Sequence, residues 1–165
     1  MVKRTSYSSI IKQYADKYSL DADLVEAIVI QESGGKADAF RYEAAFWERY
    51  RMATKPEWAH RIARRWSSSY GLLQIMAVVA VERGFAEEDP ELLFVPSTNL
   101  DYGCAHLRYL FDWADAFDAP ERLKLMAAIA SYNGGRGGNK PTDKPLRNGK
   151  YADSVLAVAQ QLHKL

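Results

Sequence analysis

A glutamate near the end of an apolar helix is the residue of this chain best placed to move a proton. The stretch from Asp21 to Gly35 reads DADLVEAIVIQESGG, and Leu24, Val25, Ile28 and Val29 recur in it at helical spacing. Glu32 follows Ile28 by four residues and Val25 by seven, on the flank of that stripe. Burial disfavours a charged carboxylate, and the negative end of the helix dipole disfavours it again, so both raise the expected pKa of Glu32. A carboxyl that keeps its proton near neutral pH is what general acid catalysis requires. On these residues alone, a glutamate solvated at a helix end fits as well. Gln74 joins a donor and an acceptor in one neutral group, suited to a sugar hydroxyl or an N-acetyl amide, although a glutamine in a first helical turn also reads as plain solvation.

The elements that must position these groups read as helices. Asp21 is a good N-cap, and Gly34 can turn left-handed to stop the helix. Thr5 to Tyr18 places Ile10, Ile11, Tyr14 and Tyr18 on one face of a first helix. After the polar break Ser67 to Gly71, the run to Gly84 is expected to be a helix with Gln74 near its start. Asp89-Pro90 begins a short helix through Phe94, and Pro96 to Asn99 opens a long one with Leu100, Cys104, Leu107 and Phe111 on one stripe. Asp118-Ala119-Pro120 caps the next, whose packed face holds Leu123, Ala127, Ala130 and Ser131 and which ends at Tyr132-Asn133-Gly134-Gly135. Asn133 to Lys150 is a glycine-rich loop; a phosphate-loop reading fails because Asn139 stands where the last glycine before Lys140 is needed. Tyr151 to Leu162 closes the chain as a helix. No strand, repeat or linker stands out, so residues 1–165 are expected to form one all-α domain.

Composition excludes several functions. Among 165 residues, 22 Lys and Arg oppose 21 Asp and Glu, so a formal charge of +1 gives no field that would draw nucleic acid or an anionic membrane. Cys104 is the one cysteine, and His60, His106 and His163 have no zinc-site spacing, so neither a metal nor a cofactor is expected. There is no membrane-span-length apolar run and no export signal in the chain as written. From Trp47 to Trp66, basic residues (Arg49, Arg51, Lys55, Arg61, Arg64, Arg65) are interleaved with Trp47, Tyr50 and Trp58, as two short helices broken near Pro56. That mixture could stack on single-stranded nucleic acid, line a groove for a carboxylate-bearing sugar polymer, or place its rings in the core and its arginines in water. The balanced charge argues against nucleic acid.

Four segments in this order resemble the lytic transglycosylases of the soluble-transglycosylase and goose-type lysozyme kind. They are Glu32-Ser33 at a helix end, Gly71-Leu72-Leu73-Gln74, Ala130-Ser131-Tyr132-Asn133 before a glycine-rich loop, and Tyr151 opening the last helix. Tyr42-Glu43 and Asn99 to Leu110 are similar to the subset common in bacteria and their phages. The resemblance implies a lysozyme-like all-α fold, a glycan groove, and a monomer acting on peptidoglycan at the bacterial cell wall or periplasm, bacterial or phage-delivered. It implies that Glu32 protonates the β-1,4 bond between N-acetylmuramic acid and N-acetylglucosamine and then, as a base, lets the muramoyl 6-hydroxyl close a 1,6-anhydro ring. Ser33, Gln74, Tyr132, Asn133 and Tyr151 are implied to bind the glycan or steady the reacting groups, with Tyr151 orienting Glu32. The chain departs from the family pattern at Leu73, where Met is usual, and at Ser131 and Gly135, where Ala is common.

A hydrolase would place a second carboxylate across the bond, at about 5–5.5 Å for retention or about 6.5–9.5 Å for inversion. Ile75-Met76 follows Gln74 where goose-type lysozymes tend to carry an aspartate, which favours intramolecular attack over hydrolysis. Glu43 is the first candidate for a second carboxylate, ahead of Asp38 and Glu48. The alternatives are a hydrolytic muramidase on the same fold and a non-catalytic peptidoglycan-binding or virion domain.

Overall fold

Two helices open the chain, α1 (Ser8–Lys17) and α2 (Ala22–Ser33). Asp21 caps α2 as expected: its Oδ1 accepts the Leu24 backbone N–H at 2.8 Å. The computed structural model describes residues 2–49, 62–86 and 88–165, which group into two compact units: residues to Gln31 with Cys104–Leu165, and Glu32–Gly103.

The first unit holds α1, most of α2, the later part of α6 (Pro96–Asp115), α7 (Glu121–Gly134) and α8 (Gly149–Leu162). Its core is aliphatic and small, with Ile11, Val25, Ile28, Cys104, Leu107, Ala127, Ile129 and Val155 all fully buried. From Leu24 to Val29, α2 is buried on every side, so the apolar stripe read from the sequence is a wholly enclosed segment. That segment includes Glu26, only 1% exposed. Its carboxylate accepts from the Thr5 backbone N–H at 2.7 Å, the Thr5 hydroxyl at 3.0 Å, the Ser8 hydroxyl and Arg4 Nη1 at 2.7 Å. Arg4 also reaches Asp23 at 2.8 Å and the Leu162 carbonyl at 3.1 Å, which ties the start of the chain to α2 and α8. Burial pushes the Glu26 carboxyl up, but the bonds from Ser8, Thr5 and Arg4 outweigh it and hold it below the usual carboxylate range.

The second unit corrects two expectations. It contains a small antiparallel sheet, β1 (Phe40–Tyr42), β2 (Ser68–Tyr70) and β3 (Ile75–Met76) in that order, pairing Phe40 with Tyr70 and Tyr70 with Ile75. The helix expected to run from Gly71 begins only at Ala77, as α5 (Ala77–Glu82). Residues 71–74 form a turn because Gly71 (φ +67) and Gln74 (φ +46) both take left-handed backbone, which no helix can contain. Around the sheet lie α3 (Ala44–Arg49), α4 (Ala63–Trp66), a 3-10 helix over Pro90–Phe94 capped by Asp89, and the start of α6. Trp47, Trp66, Tyr70, Ile75, Val78, Phe85 and Leu93 make the core. Within the described part of the basic and aromatic segment, then, the tryptophans are core, and Arg65 pairs with Asp89. The readings placed on Tyr50, Arg51, Lys55, Pro56, Trp58 and Arg61 lie outside the described residues. The fold is mainly helical, and no helix among the described residues is long and apolar enough to cross a membrane.

Candidate functional site

Glu32 is the next-to-last residue of α2 and is half-buried. The chain leaves the helix through Gly34 and Gly35, both left-handed at φ +62 and +77, so the helix stops directly after the carboxylate. Ser33 fastens that end: its hydroxyl donates to the Leu72 carbonyl at 2.8 Å and accepts the Gly35 N–H at 3.2 Å. Ser33 thus couples the helix end bearing Glu32 to the turn bearing Gln74.

That turn is held from three sides. The Gly71 N–H donates to the Ala39 carbonyl at 2.8 Å. Gln74 sends its Nε2 to the Ala39 and Gly71 carbonyls, each at 3.0 Å, and two carbonyl acceptors fix which way the amide faces. Its Oε1, an acceptor, is what remains for a ligand. Beneath the turn stands Asn99, in the first turn of α6 and fully buried. Asn99 Oδ1 accepts the Leu73 N–H at 2.8 Å, and Nδ2 donates to the Tyr70 carbonyl at 2.7 Å and the Leu93 carbonyl at 2.8 Å. A Cβ on Gly71 would come within 2.7 Å of the Leu93 carbonyl oxygen and would strike the Asn99 amide, so the close approach needs glycine. Gly103, one helical turn after Asn99, leaves room for the Leu73 side chain. Sequence reasoning missed Asn99, although an asparagine sharing a helix face with Gly103 and Leu107 is a usable signal of a buried amide.

Glu43 lies just after β1, and its carboxylate is engaged by Arg41 Nε in an ion pair. Phe40 and Tyr42, at 42% and 43% exposure, present rings to solvent on β1.

In the first unit, Tyr132 and Asn133 occupy the last turn of α7, and Tyr151 the first turn of α8, half-buried. Asn133 is exposed but held, its Oδ1 accepting from Asn148 Nδ2 at 2.9 Å. Asn148 Oδ1 accepts in turn from Asn139 Nδ2 at 3.1 Å, and the fully buried Asn139 returns its Oδ1 to the Asn148 N–H at 2.8 Å. Asn139, noticed in the sequence only because it spoils a phosphate loop, is the anchor of the glycine-rich segment. Ser131 is 1% exposed, and its hydroxyl has no hydrogen-bond partner among the described residues.

The family profile described as "Transglycosylase SLT domain" matches residues 9–154. The chain belongs to the transglycosylase SLT domain family. The four sequence segments pointed to this same family. A solved structure, the lytic transglycosylase Slt of Pseudomonas aeruginosa determined as an inactive glutamate-to-glutamine mutant, superposes with a TM-score of 0.64 at 20% identity. The match covers 96% of this chain and 24% of that one, so this chain spans about a quarter of that protein's length. At that identity the likeness establishes the lysozyme-like, mainly helical fold.

Proposed function

We propose that this chain cleaves the β-1,4 bond between N-acetylmuramic acid and N-acetylglucosamine in peptidoglycan by intramolecular transglycosylation. The family profile runs through both compact units, which supports treating residues 1–165 as one catalytic domain. The observation that carries the mechanism is the setting of Glu32: a half-buried carboxyl at a helix end fastened by Ser33 to the turn that fixes Gln74. That the Slt relative is inactive with one glutamate changed to glutamine supports an essential glutamate in this chain too.

Glu32 in its acid form gives its proton to the glycosidic oxygen as the C1–O4 bond breaks. The muramoyl 6-hydroxyl attacks C1, and its proton passes to the Glu32 carboxylate, which restores the acid. No water is consumed, so no base-activated water and no second carboxylate are required. Engagement of Glu43 by Arg41 favours this route over hydrolysis through Glu43. Gln74 Oε1 accepts from a sugar hydroxyl or N-acetyl N–H, Tyr132 and Asn133 bind the glycan, and Tyr151 orients Glu32.

Mass spectrometry of fragments released from purified peptidoglycan tests this. The expected products are lighter by one water than hydrolytic fragments and lack a reducing muramic end. Glu32→Gln is expected to lower the rate by about 10²- to 10⁴-fold with folding unchanged. Reducing ends would establish a muramidase and turn attention to Glu43; sacculus binding without release would establish a binding domain.

A further inference from the structure

The first unit carries a row of rings that the proposed reaction does not use. His106, Tyr109 and Trp113 follow one another along α6 at intervals of three and four residues, each half-buried. The His106 ring lies 5.7 Å from that of Tyr132 and stacks on Tyr109 at 6.1 Å with 21° between planes. Gly135 then ends α7 at φ +71 and lets the chain double back. This sets the Arg136 guanidinium over two rings at once, 5.5 Å from Tyr109 and 5.8 Å from Trp113. Arg136 is exposed and makes no ion pair among the described residues.

We propose that this row seats the peptide stem of the glycan substrate, with a stem carboxylate held by Arg136; this rests on peptidoglycan being the substrate. A guanidinium held over aromatic faces is not neutralised by them, and its N–H groups remain suited to grip a carboxylate with two parallel bonds. Contact with two rings restrains Arg136, so less side-chain freedom is lost on binding than at an unsupported surface arginine. Distance selects the stem over the sugar's own lactyl group. His106 to Trp113 spans roughly 10 Å of helix at about 1.5 Å per residue, with Arg136 over its far half. A lactyl substituent on a sugar at Tyr132 falls short of that, whereas a peptide at about 3.3 Å per residue covers it in a few residues. The ring faces between supply an apolar bed for a largely uncharged peptide backbone.

The test separates recognition from cleavage. In a Glu32→Gln protein, the Trp113 indole N–H resonance, assigned by its loss in Trp113→Phe, is followed by NMR during titration with a soluble muramoyl peptide. The same titration is run with the peptide's carboxyls amidated, and with the disaccharide lacking a peptide but carrying a free lactyl carboxylate. The free-acid peptide is expected to shift Trp113 saturably, and amidation or Arg136→Gln to weaken binding by about tenfold or more, with Arg136→Lys between. Three results each overturn the proposal: no shift with the free-acid peptide, equal binding of the amidated form, or equal binding of the bare disaccharide, which would make the row a sugar platform. Fragment release by the wild type is measured in parallel. If the titrations behave as expected and no glycan is cleaved, the proposed reaction fails and the peptide seat stands; if cleavage proceeds and the titrations fail, the peptide seat alone falls.

Discussion

Replacing Asn99 with alanine attacks the turn that fixes Gln74 without touching any group placed at the reacting bond. The Asn99 side chain makes three hydrogen bonds of 2.7–2.8 Å at full burial. Alanine leaves the buried Leu73 N–H without its acceptor, at about 1–3 kcal/mol, and weakens the pairing of two carbonyls. The expected loss is therefore about 2–4 kcal/mol, or roughly 5–15 °C in Tm for a chain of this length. Gly71 sharpens the test, because a Cβ there would strike the Asn99 amide and also crowd the Leu93 carbonyl. Gly71→Ala should cost several kcal/mol in the wild type and measurably less in the Asn99→Ala background, where one of the two collisions is gone, leaving a coupling of roughly 0.5–3 kcal/mol. Urea unfolding of the four proteins supplies the energies, and kcat/KM on peptidoglycan fragments reports whether the turn still presents Gln74. A loss under about 0.5 kcal/mol for Asn99→Ala, or strict additivity with Gly71→Ala, would refute the account of the turn.

Other outcomes follow from the same geometry. Glu26→Ala should destabilise by about 3–5 kcal/mol in chemical denaturation, since it leaves several donors facing a buried gap, and unchanged stability would contradict the four-bond arrangement. The Glu26 and Asp23 carboxyls both titrate below their ordinary values when folded, so their contribution is whole above the unfolded carboxylate pKa and is lost as pH falls through the lower folded values. Wild-type Tm should therefore drop on acidification below about pH 4 by more than that of Glu26→Gln, as differential scanning calorimetry would show. Ser131→Ala should be neutral or stabilising by about 1 kcal/mol, because it removes a buried hydroxyl that has no partner among the described residues, and a clear loss of Tm would show that the hydroxyl is in fact bonded. Gln74→Glu sets a carboxylate against the Ala39 and Gly71 carbonyls, so kcat/KM should fall about tenfold or more, and an unaffected rate would remove Gln74 from the site.

Much of the helical frame was legible because its signals are local. Asp21 and Asp89 cap, Pro96 starts and Gly34 stops, each within a turn of where the chain obeys it. The strands were not legible, since two or three residues such as Ser68–Tyr70 or Ile75–Met76 are too short to show an alternating pattern and exist only through pairing with distant chain. Glu26 and Asn99 escaped for a related reason. A charged or amide residue on an apolar helix can be placed in the core only when its partners are known, and for Glu26 those are Arg4, Thr5 and Ser8, some twenty residues away. The positive φ of Gln74 was hidden too, because glutamine is not a residue that advertises left-handed backbone. Glu32, Ser33, Gln74, Tyr132, Asn133 and Tyr151 are candidates proposed by motif, whereas the hydrogen bonds that hold Ser33, Gln74 and Asn133 could be found only in three dimensions.

The amide chain from Asn139 through Asn148 to Asn133 has a direction. Each member donates toward the next, so Asn133 spends its oxygen on Asn148 and faces solvent with its amino group. An exposed asparagine ordinarily surrenders its rotameric freedom when a ligand arrives; here folding has already taken it. At about 0.5–1.5 kcal/mol for an immobilised side chain, that head start is a factor of roughly two to ten in affinity for whatever acceptor meets Asn133. It also fixes polarity, because Asn133 can offer only its amino group, and a ligand that brought a donor to it would find the amide facing the wrong way.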